Sequence, residues 1–281
     1  MAANGKVMEE TYKRVKSILI SQPKPDERSP YYELEKKYNL QIDWRPFIHV
    51  QGISAKDFRK QRVRPDEFTA VIFTAKNAVD HFFRTCEEMR ITMHPDTRYF
   101  CLTEAIANYL QKFIIYRKRK VFAGKRVIQD LASPLKKYKE EKFLLPCSNL
   151  GAKDVSSYLT EMKLNWQDAM MYETVSSDLS DLSDVTYDVL VFFSPLGIKS
   201  LFDNFPDFKQ NETRLAVFGS STYNAVVEHG LTANIMVKPP EIPSMAVALE
   251  LYLQKIQPRP VIQTESLLFY TNRRLFCKKL V

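Results

Sequence analysis

The sequence predicts an α/β protein built on parallel sheets, and two patterns support this fold class. First, short runs of apolar and β-branched residues alternate with stretches of helical periodicity along most of the 281 residues. That alternation is typical of βαβ units, in which helices cover both faces of a parallel sheet. Second, ten of these runs qualify as strands. Ten strands are too many for one small open sheet, so we expect two sheets.

The candidate strands share a core of Val, Ile, Leu or Phe. In chain order they cover residues 15–21, 42–50, 68–74, 98–102, 120–123, 142–146, 170–175, 187–193, 214–218 and 234–237. Helical patterns occupy the intervals between them, over residues 78–89, 104–111, 154–162, 198–205, 223–228 and 244–255. The polar segment 178–186 is predicted to be a loop or a short helix. The tail from residue 258 onward has no clear period and suggests no function.

The composition indicates a soluble cytoplasmic protein. Apolar residues make up 45% of the chain and charged residues 26%, which are ordinary values for a globular protein. The first twenty residues contain both acidic and basic side chains and no apolar core of signal-peptide length. The apolar runs are far shorter than the ~20 residues that a membrane span needs. We therefore expect neither export nor a membrane partner.

Residue types that bind cofactors are not arranged in familiar motifs. The cysteines, Cys86, Cys101, Cys147 and Cys277, show no CxxC spacing, so we expect buried, reduced thiols. The histidines form no HxxxH or HExxH pair, although a zinc site assembled in space stays open. Glycine occurs only 7 times, in neither a GxGxxG nor a GxxxxGK[ST] pattern. We predict no metal and no organic cofactor.

Positive charge is concentrated in one section of the chain. Residues 47–173 contain 22 basic and 15 acidic side chains, a net charge of +7 out of +8 for the whole protein. The remainder contains 19 basic and 18 acidic side chains. Such a field can attract a polyanionic ligand, a nucleic acid or an acidic surface, and charge alone does not choose among them.

Polar residues follow five of the predicted strands at the point where a helix begins. Each of them can cap that helix by accepting a backbone N–H bond. The same strand ends are where open α/β sheets bind ligands, and helix N-termini offer N–H groups to anions there. Their recurrence predicts an anion-binding rim. The candidate ligand contacts are Thr74, Thr103, Ser148, Asn149, Ser194, Ser220, Ser221 and Thr222.

Four stretches together resemble the uroporphyrinogen-III synthase family. Their order and spacing, rather than any one of them, carry the resemblance across most of residues 70–235. They read AVIFTAKNAVDHFF (70–83), FLLPCSNLGAKDV with MMYETV (143–155 and 170–175), DVLVFFSPLGIKSLF (188–202) and LAVFGSSTYNAVVEHGLTANI (215–235).

The resemblance implies two flavodoxin-like lobes with parallel sheets, one inserted in the other and joined by two extended crossings. The crossings would be residues 45–50 and 171–175. Lobe one would comprise residues 1–45 and 176–281, and lobe two residues 46–175. The basic excess would then belong to the inserted lobe.

The resemblance also implies a reaction in porphyrin and haem biosynthesis. Members of this family act on hydroxymethylbilane, a linear tetrapyrrole with eight carboxylates, and close it with loss of water and inversion of the last pyrrole ring. Closure without inversion happens readily in solution, so the task of such an enzyme is chiefly geometric selection. The expected protein is a monomeric, cofactor-independent lyase that binds this small molecule and no nucleic acid.

Carried over residue by residue, the resemblance assigns one catalytic candidate, Tyr172 on the second crossing. Its phenol could donate a proton to the departing hydroxyl, or it could serve only as a hinge residue. Thr222, Ser194 and Thr74 match the family's strand-end turns. Three positions depart from the family pattern, namely Gln22, Ala75 and Leu102, and the Leu102 side chain is expected to hinder the approach of a ligand to the backbone at its strand end.

Two other interpretations stay open at this point. A non-catalytic protein on the same scaffold could bind a tetrapyrrole or another polyanion. The second is nucleic-acid binding through residues 112–120, in which aromatic side chains are interleaved with basic ones. A solvated helix end followed by a strand explains that segment better, because no nucleic-acid-binding fold signature accompanies it.

Overall fold

The strands form two separate sheets, in a computed structural model that describes residues 13–183 and 185–257. The sheets belong to two compact units. The first unit contains the described residues of Met1–Phe47 and Ser177–Val281, and the second contains Ile48–Ser176. The second unit is thus inserted in the sequence of the first.

The first unit is a five-stranded parallel sheet flanked by helices on both faces. Its strand order is β11-β10-β9-β1-β2. Its strands are β1 (Ser17–Ile20), β2 (Gln41–Trp44), β9 (Val189–Phe192), β10 (Arg214–Phe218) and β11 (Ala233–Val237). Its helices are α1 (Pro30–Tyr38), α7 (Pro195–Asn204), α8 (Gly219–Glu228) and α9 (Met245–Ile256).

Strand alternation explains how this sheet buries both faces. In β1, Ile18 and Ile20 join the hydrophobic cluster that includes residues of α1 and α9. Leu19, between them, joins the cluster on the other face with residues of α7 and α8. Successive side chains of a strand point to opposite faces, so a continuous apolar run is what a sheet covered on both sides requires.

The second unit is a six-stranded sheet with the order β3-β8-β7-β4-β5-β6. Its strands are β3 (Ile48–Gly52), β4 (Ala70–Phe73), β5 (Arg98–Cys101), β6 (Val121–Ala123), β7 (Lys142–Ser148) and β8 (Asn165–Ser176). Its helices are α2 (Ala55–Lys60), α3 (Lys76–Glu88), α4 (Glu104–Leu110), α5 (Ala132–Lys137) and α6 (Lys153–Glu161). Short 3₁₀ turns cover Pro65–Glu67 and Ile128–Leu131 here, and Ser180–Leu182 in the first unit.

Two of the predicted strands need correction. The predicted strand 42–50 is two strands, β2 and β3, which lie in different sheets. Pro46 lies between them, and proline has no N–H to donate to a ladder. The predicted strand 170–175 is the second half of the twelve-residue β8. The first half of β8 begins with polar, largely exposed residues, so no apolar run marked it.

One pair of strands departs from the parallel pattern. β3 opens the second unit and β8 closes it, and the two run antiparallel from the pair Ile48 and Ser176 to the pair Gly52 and Tyr172. All other strand pairs in the two sheets are parallel. The two segments at which the chain enters and leaves the second unit are therefore hydrogen-bonded neighbours.

The cysteines in the described part of the chain are buried free thiols. Burial raises the pKa of Cys86 and Cys101 to about 12 and, together with nearby Asp168, that of Cys147 to about 11. Cys277 lies outside the described residues, as do Asp184 in the polar segment and the whole tail from residue 258. Within residues 13–183 and 185–257 no helix is long and apolar enough to cross a membrane. No group of three or more potential metal ligands gathers there either.

Candidate active site

The predicted polar residues of the second unit lie at one edge of its sheet. β4, β5 and β7 are parallel, so their carboxyl ends meet at the same edge. Thr74 follows β4, Thr103 follows β5, and Ser148 is the last residue of β7. Tyr172 lies level with Ser148, because these two residues are partners in the β7–β8 register. We call Thr74, Thr103, Ser148, Asn149 and Tyr172 the second-unit rim.

A register shift turns Tyr172 toward α3. In the β7–β8 ladder Cys147 pairs with Met170 but Ser148 pairs with Tyr172, so Met171 is one extra residue in β8. Strict alternation would send Met171 and Tyr172 to opposite faces of the sheet. Instead both side chains pack in the same hydrophobic cluster, the one that contains α3. An extra residue of this kind is a common way of re-aiming a side chain next to a functional site.

Tyr172 is held between the core and a histidine. Its ring stacks on that of His81 of α3, with centroids 5.1 Å apart and planes inclined by 18°. The residue is 8% exposed. Desolvation, with a smaller contribution from Cys147, raises the pKa of the Tyr172 phenol above its ordinary value. The hydroxyl makes no hydrogen bond to a described residue, so this phenol is a protonated donor without a partner.

His81 is a neutral neighbour with a fixed tautomer. Desolvation, followed by the charge of Arg84, lowers the pKa of His81 below its usual value. Arg84 Nε donates to His81 Nδ1 at 3.3 Å. Because Nδ1 accepts this bond, the ring proton resides on Nε2. The imidazole therefore stacks on Tyr172 without placing a positive charge beside it.

Arg84 ties this arrangement to the sheet. Its Nη2 atom donates to the carbonyl oxygens of Ile53, at 2.8 Å, and Met171, at 3.3 Å, and Nη1 pairs with Glu88. Gly52 provides the space, since a Cβ there would lie 2.7 Å from Nη2. Arg84 thus binds the extra residue Met171 and orients His81. The sequence analysis missed His81 and Arg84, and their spacing of three on a helix after a site strand is the pattern that could have drawn attention to them.

The hydroxyl groups of the second-unit rim differ in the hydrogen bonds that they make. Thr103 Oγ1 accepts from the N–H of Ile106 at 3.4 Å and caps α4, and Ser148 Oγ accepts from the N–H of Leu150 at 3.2 Å. Both hydroxyls keep their own proton for donation. Thr74 is half-buried and makes no hydrogen bond to a described residue. Three hydroxyl donors are therefore available along this edge.

Asn149 supports the rim rather than presenting a free amide. Its Oδ1 accepts from the N–H of Thr174 at 3.0 Å, and its Nδ2 donates to the carbonyl of Thr174 at 3.4 Å. Its backbone N–H donates to the carbonyl of Tyr172 at 3.2 Å. The side chain thus continues the β7–β8 ladder beyond the register shift. Only one N–H of the Asn149 side-chain amide therefore remains for the predicted ligand contact.

Ala75 leaves the first turn of α3 without a side-chain cap. Ala75 occupies the N-cap position, and the first backbone N–H groups of this thirteen-residue helix have no side-chain acceptor. A serine there would occupy one of those donors. The departure from the family pattern at Ala75 therefore frees N–H groups at the rim for an anion.

Leu102 does not project over the rim. It is partly buried and packs against the hydrophobic clusters on both faces of the second-unit sheet. The close approach at this strand end is made by Gly124, where a Cβ would lie 2.8 Å from the Leu102 carbonyl oxygen. The hindrance expected from the Leu102 side chain is therefore small.

The strand ends of the first unit form a rim of their own, which we call the first-unit rim and define as Ser194, Ser220, Ser221 and Thr222. Ser194 precedes α7 and does not cap it through its side chain. Ser220 and Ser221 lie in the first turn of α8, whose first residue, Gly219, has a φ of +79°. This rim supplies hydroxyl donors and uncapped helix N–H groups.

Thr222 differs from its neighbours on the first-unit rim. It is 0% exposed, and its buried Oγ1 has no hydrogen-bond partner among the described residues. Its place in α8 turns the side chain away from solvent, whereas Ser220 and Ser221 remain accessible. A ligand on the first-unit rim does not reach the Thr222 hydroxyl in this conformation.

A cavity of about 440 Å³ lies elsewhere in the first unit, lined by Phe47, Tyr187, Phe205 and Phe208 among others. No residue of the first-unit rim lines it. The chemistry-bearing side chains are thus on open strand-end surfaces rather than in this cavity.

Comparison with known proteins decides the family. The family model for uroporphyrinogen-III synthase (HemD) matches residues 32–246, well over half of the chain and a range that contains both rims. The chain belongs to the uroporphyrinogen-III synthase family. The predicted family resemblance is confirmed.

Solved structures extend the comparison to the fold. Uroporphyrinogen-III synthetase from Helicobacter pylori 26695 superposes with a TM-score of 0.53 at 17% identity, over 85% of this chain and 99% of that one. A mutant uroporphyrinogen III synthase from Thermus thermophilus gives a TM-score of 0.47 at 13% identity, over 85% and 99% of the two chains. No curated protein matches the chain significantly. The Helicobacter structure confirms the predicted class, α/β with two largely parallel sheets.

Proposed function

We propose that this protein is a uroporphyrinogen-III synthase, a cytoplasmic and monomeric lyase that closes hydroxymethylbilane without a cofactor. The observation that carries the proposal is the placement of Tyr172. A protonated phenol without a hydrogen-bond partner among the described residues lies at a strand-end edge among anion-binding donors. Family membership supplies the substrate class, and this geometry supplies a proton donor for it.

The second-unit rim is suited to carboxylates. Its Thr74, Thr103 and Ser148 hydroxyls and the uncapped N–H groups of α3 are all donors at one edge. Residues 48–176 also carry the same 22 basic and 15 acidic side chains as the section 47–173, a net charge of +7. Donors bind the carboxylates directly, and the positive field raises their local concentration.

Tyr172 has two tasks in the proposed reaction. Its O–H donates the proton to the terminal hydroxyl of hydroxymethylbilane, so the C–O bond breaks and water leaves while the electron-rich pyrrole supplies the electrons. The methylene carbon that has lost its hydroxyl bonds to the last pyrrole at its substituted α carbon and gives a spiro-pyrrolenine. The older bond from that α carbon to the neighbouring methylene bridge then breaks. The free α carbon of the inverted ring bonds to this methylene carbon and loses one proton. The Tyr172 phenolate takes it back, because a phenol with a raised pKa has a strongly basic phenolate. The reaction therefore balances as one bilane giving one macrocycle and one water.

The experiment is an isomer assay with freshly prepared hydroxymethylbilane. A synthase yields the macrocycle with its last ring inverted faster than spontaneous closure yields the non-inverted isomer. Activity that survives exhaustive treatment with a chelator supports cofactor independence. A product that consists only of the non-inverted isomer would make the protein a non-catalytic binder and overturn the proposal.

A further inference from the structure

The segment between α4 and β6 lies far from the second-unit rim. α4 begins beside Thr103 on the rim, and the chain returns through residues 111–120 to the amino end of β6 at Val121. The segment is therefore at the opposite edge of the sheet from Ser148 and Tyr172. Its residues 112–119 read KFIIYRKR, an apolar run with cations on both sides, and the proposed reaction does not use them. We call residues 112–119 the basic loop.

The base of the basic loop is anchored to the core. The ring of Phe113 stacks on that of Phe83, with centroids 4.8 Å apart and planes inclined by 8°. Ile114 is partly buried against the cluster that contains α3. Backbone bonds from Phe113 N–H to the Leu110 carbonyl and from Lys120 N–H to the Arg117 carbonyl fix both ends. The residues between these two ends are therefore held in place by the core.

The tip of the basic loop is apolar and exposed. Ile115 is 85% exposed, the largest value among the exposed large hydrophobic residues of the described chain, and the adjacent Tyr116 is 42% exposed. An isolated exposed aliphatic residue is ordinary. Here the aliphatic side chain lies in an irregular stretch between two anchored turns, with cations on both sides of it in sequence.

The cations of the basic loop have no close ion-pair partner in the described chain, although the charge of Arg117 contributes to lowering the pKa of Asp96. Lys112, Arg117, Lys118 and Arg119 form no ion pair with a described residue. The carboxylate of Asp96, which faces this region, is engaged by Lys120. Lys112 contacts the ring face of Tyr109, with Nζ 4.5 Å from its centroid. Four cationic side chains thus flank the exposed apolar tip in sequence, one before it and three after it.

We propose that the basic loop docks this protein on a membrane surface rich in anionic lipids. Cations near such a surface are attracted to the headgroups, and an apolar tip between them enters the boundary with the acyl chains. Docking by a loop needs no membrane-spanning helix. It revises the sequence-based expectation that the protein has no membrane partner, and it leaves the rim at the opposite edge of the sheet free.

Single-stranded nucleic acid suits the basic loop less well. Proteins of that type stack bases on exposed aromatic faces. One face of Phe113 is covered by Phe83, which leaves Tyr116, 42% exposed, as the more available ring of the loop, and the most exposed apolar side chain, Ile115, has no ring. The exposed aliphatic side chain of Ile115 therefore favours a lipid surface over RNA.

Co-sedimentation of the full chain with vesicles tests this inference independently of catalysis. We expect binding to vesicles of equal parts phosphatidylcholine and phosphatidylglycerol, and no binding to vesicles of phosphatidylcholine alone. Replacing three cations together, Arg117→Gln, Lys118→Gln and Arg119→Gln, should weaken the binding about a hundredfold, since each cation near an anionic surface contributes about fivefold. Ile115→Asp should weaken it at least ~10-fold, because the tip would no longer enter the interface.

A matched triple variant controls for net charge. Lys136→Gln, Lys137→Gln and Lys139→Gln remove the same charge from α5 and the turn after it, and this variant should bind the anionic vesicles like the unmodified chain. Equal weakening by this control would show that net charge alone is responsible, and would overturn the inference. So would an Ile115→Asp variant that binds as well as the unmodified chain, or preference for a polyuridine strand over the anionic vesicles. Ile115 is too exposed for its replacement to unfold the protein.

Discussion

The two rims of this molecule offer different chemistry on the same kind of scaffold. Both lie at the carboxyl ends of parallel strands, and both present hydroxyl groups and uncapped helix N–H groups. The second-unit rim adds a phenol with a raised pKa, a neutral imidazole stacked on it and an arginine that hydrogen-bonds to the imidazole and to the Met171 carbonyl. The first-unit rim has no counterpart to this trio among its residues.

The difference indicates that strand-end hydroxyl and N–H groups are by themselves suited to binding carboxylates. One additional residue in a strand can bring a proton donor to the same place. Met171 is an insertion in the β7–β8 ladder, and it brings Tyr172 to the face where His81 lies. We therefore propose that proton transfer takes place on the second unit and that the first unit only binds carboxylates.

Loss of the Tyr172 hydroxyl should have the largest effect. Tyr172→Phe keeps the ring and its stacking on His81 but removes the donor, so we expect kcat to fall by ~10²-fold or more. Thermal unfolding should change little, because the hydroxyl makes no hydrogen bond to a described residue. The matched variant is Tyr223→Phe, an exposed phenol of α8 in the first unit, which should retain full turnover. A Tyr223 variant as impaired as the Tyr172 variant would erase the distinction between the rims.

Removal of the arginine that supports Tyr172 should have the next largest effect. In Arg84→Ala the imidazole of His81 loses its donor and Met171 loses a bond to its carbonyl. Misplacement of the donor should lower kcat about tenfold while the KM changes less, since substrate-binding groups are untouched. Arg64→Ala serves as the control, because Arg64 is an exposed partner of Asp66. A change confined to the KM would mean that Arg84 binds substrate rather than positioning Tyr172.

The positive electrostatic field of the second unit should make kcat/KM depend on the salt concentration. Its net charge of +7 steers an anionic substrate, and counterions screen that steering over a Debye length of about 8 Å at physiological ionic strength. We expect kcat/KM to fall several-fold as salt rises from low to physiological concentration, with kcat nearly constant. Initial rates at limiting and saturating substrate separate the two. A kcat that falls in parallel would place the salt effect in the chemical step.

Single hydroxyl groups of the two rims should matter least, and equally. Ser148→Ala and Ser221→Ala each remove one hydroxyl donor from a carboxylate that neighbouring N–H groups also bind, so we expect a net loss of about 1 kcal/mol and a rise in the KM of at most about fivefold in either variant. Backbone N–H groups at the helix ends remain in place after both substitutions. A much larger loss in one variant would identify a binding contact on that rim with no substitute.

The sequence predicted those features of the fold that produce a recognisable pattern of neighbouring residues. The apolar runs of β4 and β9, buried on both faces, were found because a parallel sheet requires them. The first half of β8 was missed because it carries polar, exposed residues that pair only through the backbone. β2 and β3 were merged because apolar residues of both fall within one continuous stretch, residues 42–50, and only Pro46 marks the change of sheet.

The candidate site divides in the same way. Thr103 and Ser148 were predicted as site residues from their positions at strand ends. Tyr172 was predicted from the family resemblance. The engagement of the Asn149 amide and the full burial of Thr222 depend on side-chain contacts that no spacing reveals. The contribution of His81 and Arg84 depends on the register shift at Met171, which exists only once β7 and β8 are paired.

The most direct measurement of the central claim is the pH dependence of kcat when Tyr172 is replaced by a ring-fluorinated tyrosine. Burial raises the pKa of Tyr172 above its ordinary value of about 10, so the unmodified protein should keep its kcat up to that pH and lose it only as the phenol ionises above it. Fluorine lowers the pKa of the phenol without removing the hydroxyl. If Tyr172 donates the proton, the alkaline decline of kcat moves to lower pH by the amount that fluorination lowers the phenol pKa. A decline that stays at the same pH in the fluorinated protein would contradict the assignment and leave Tyr172 a structural residue of β8.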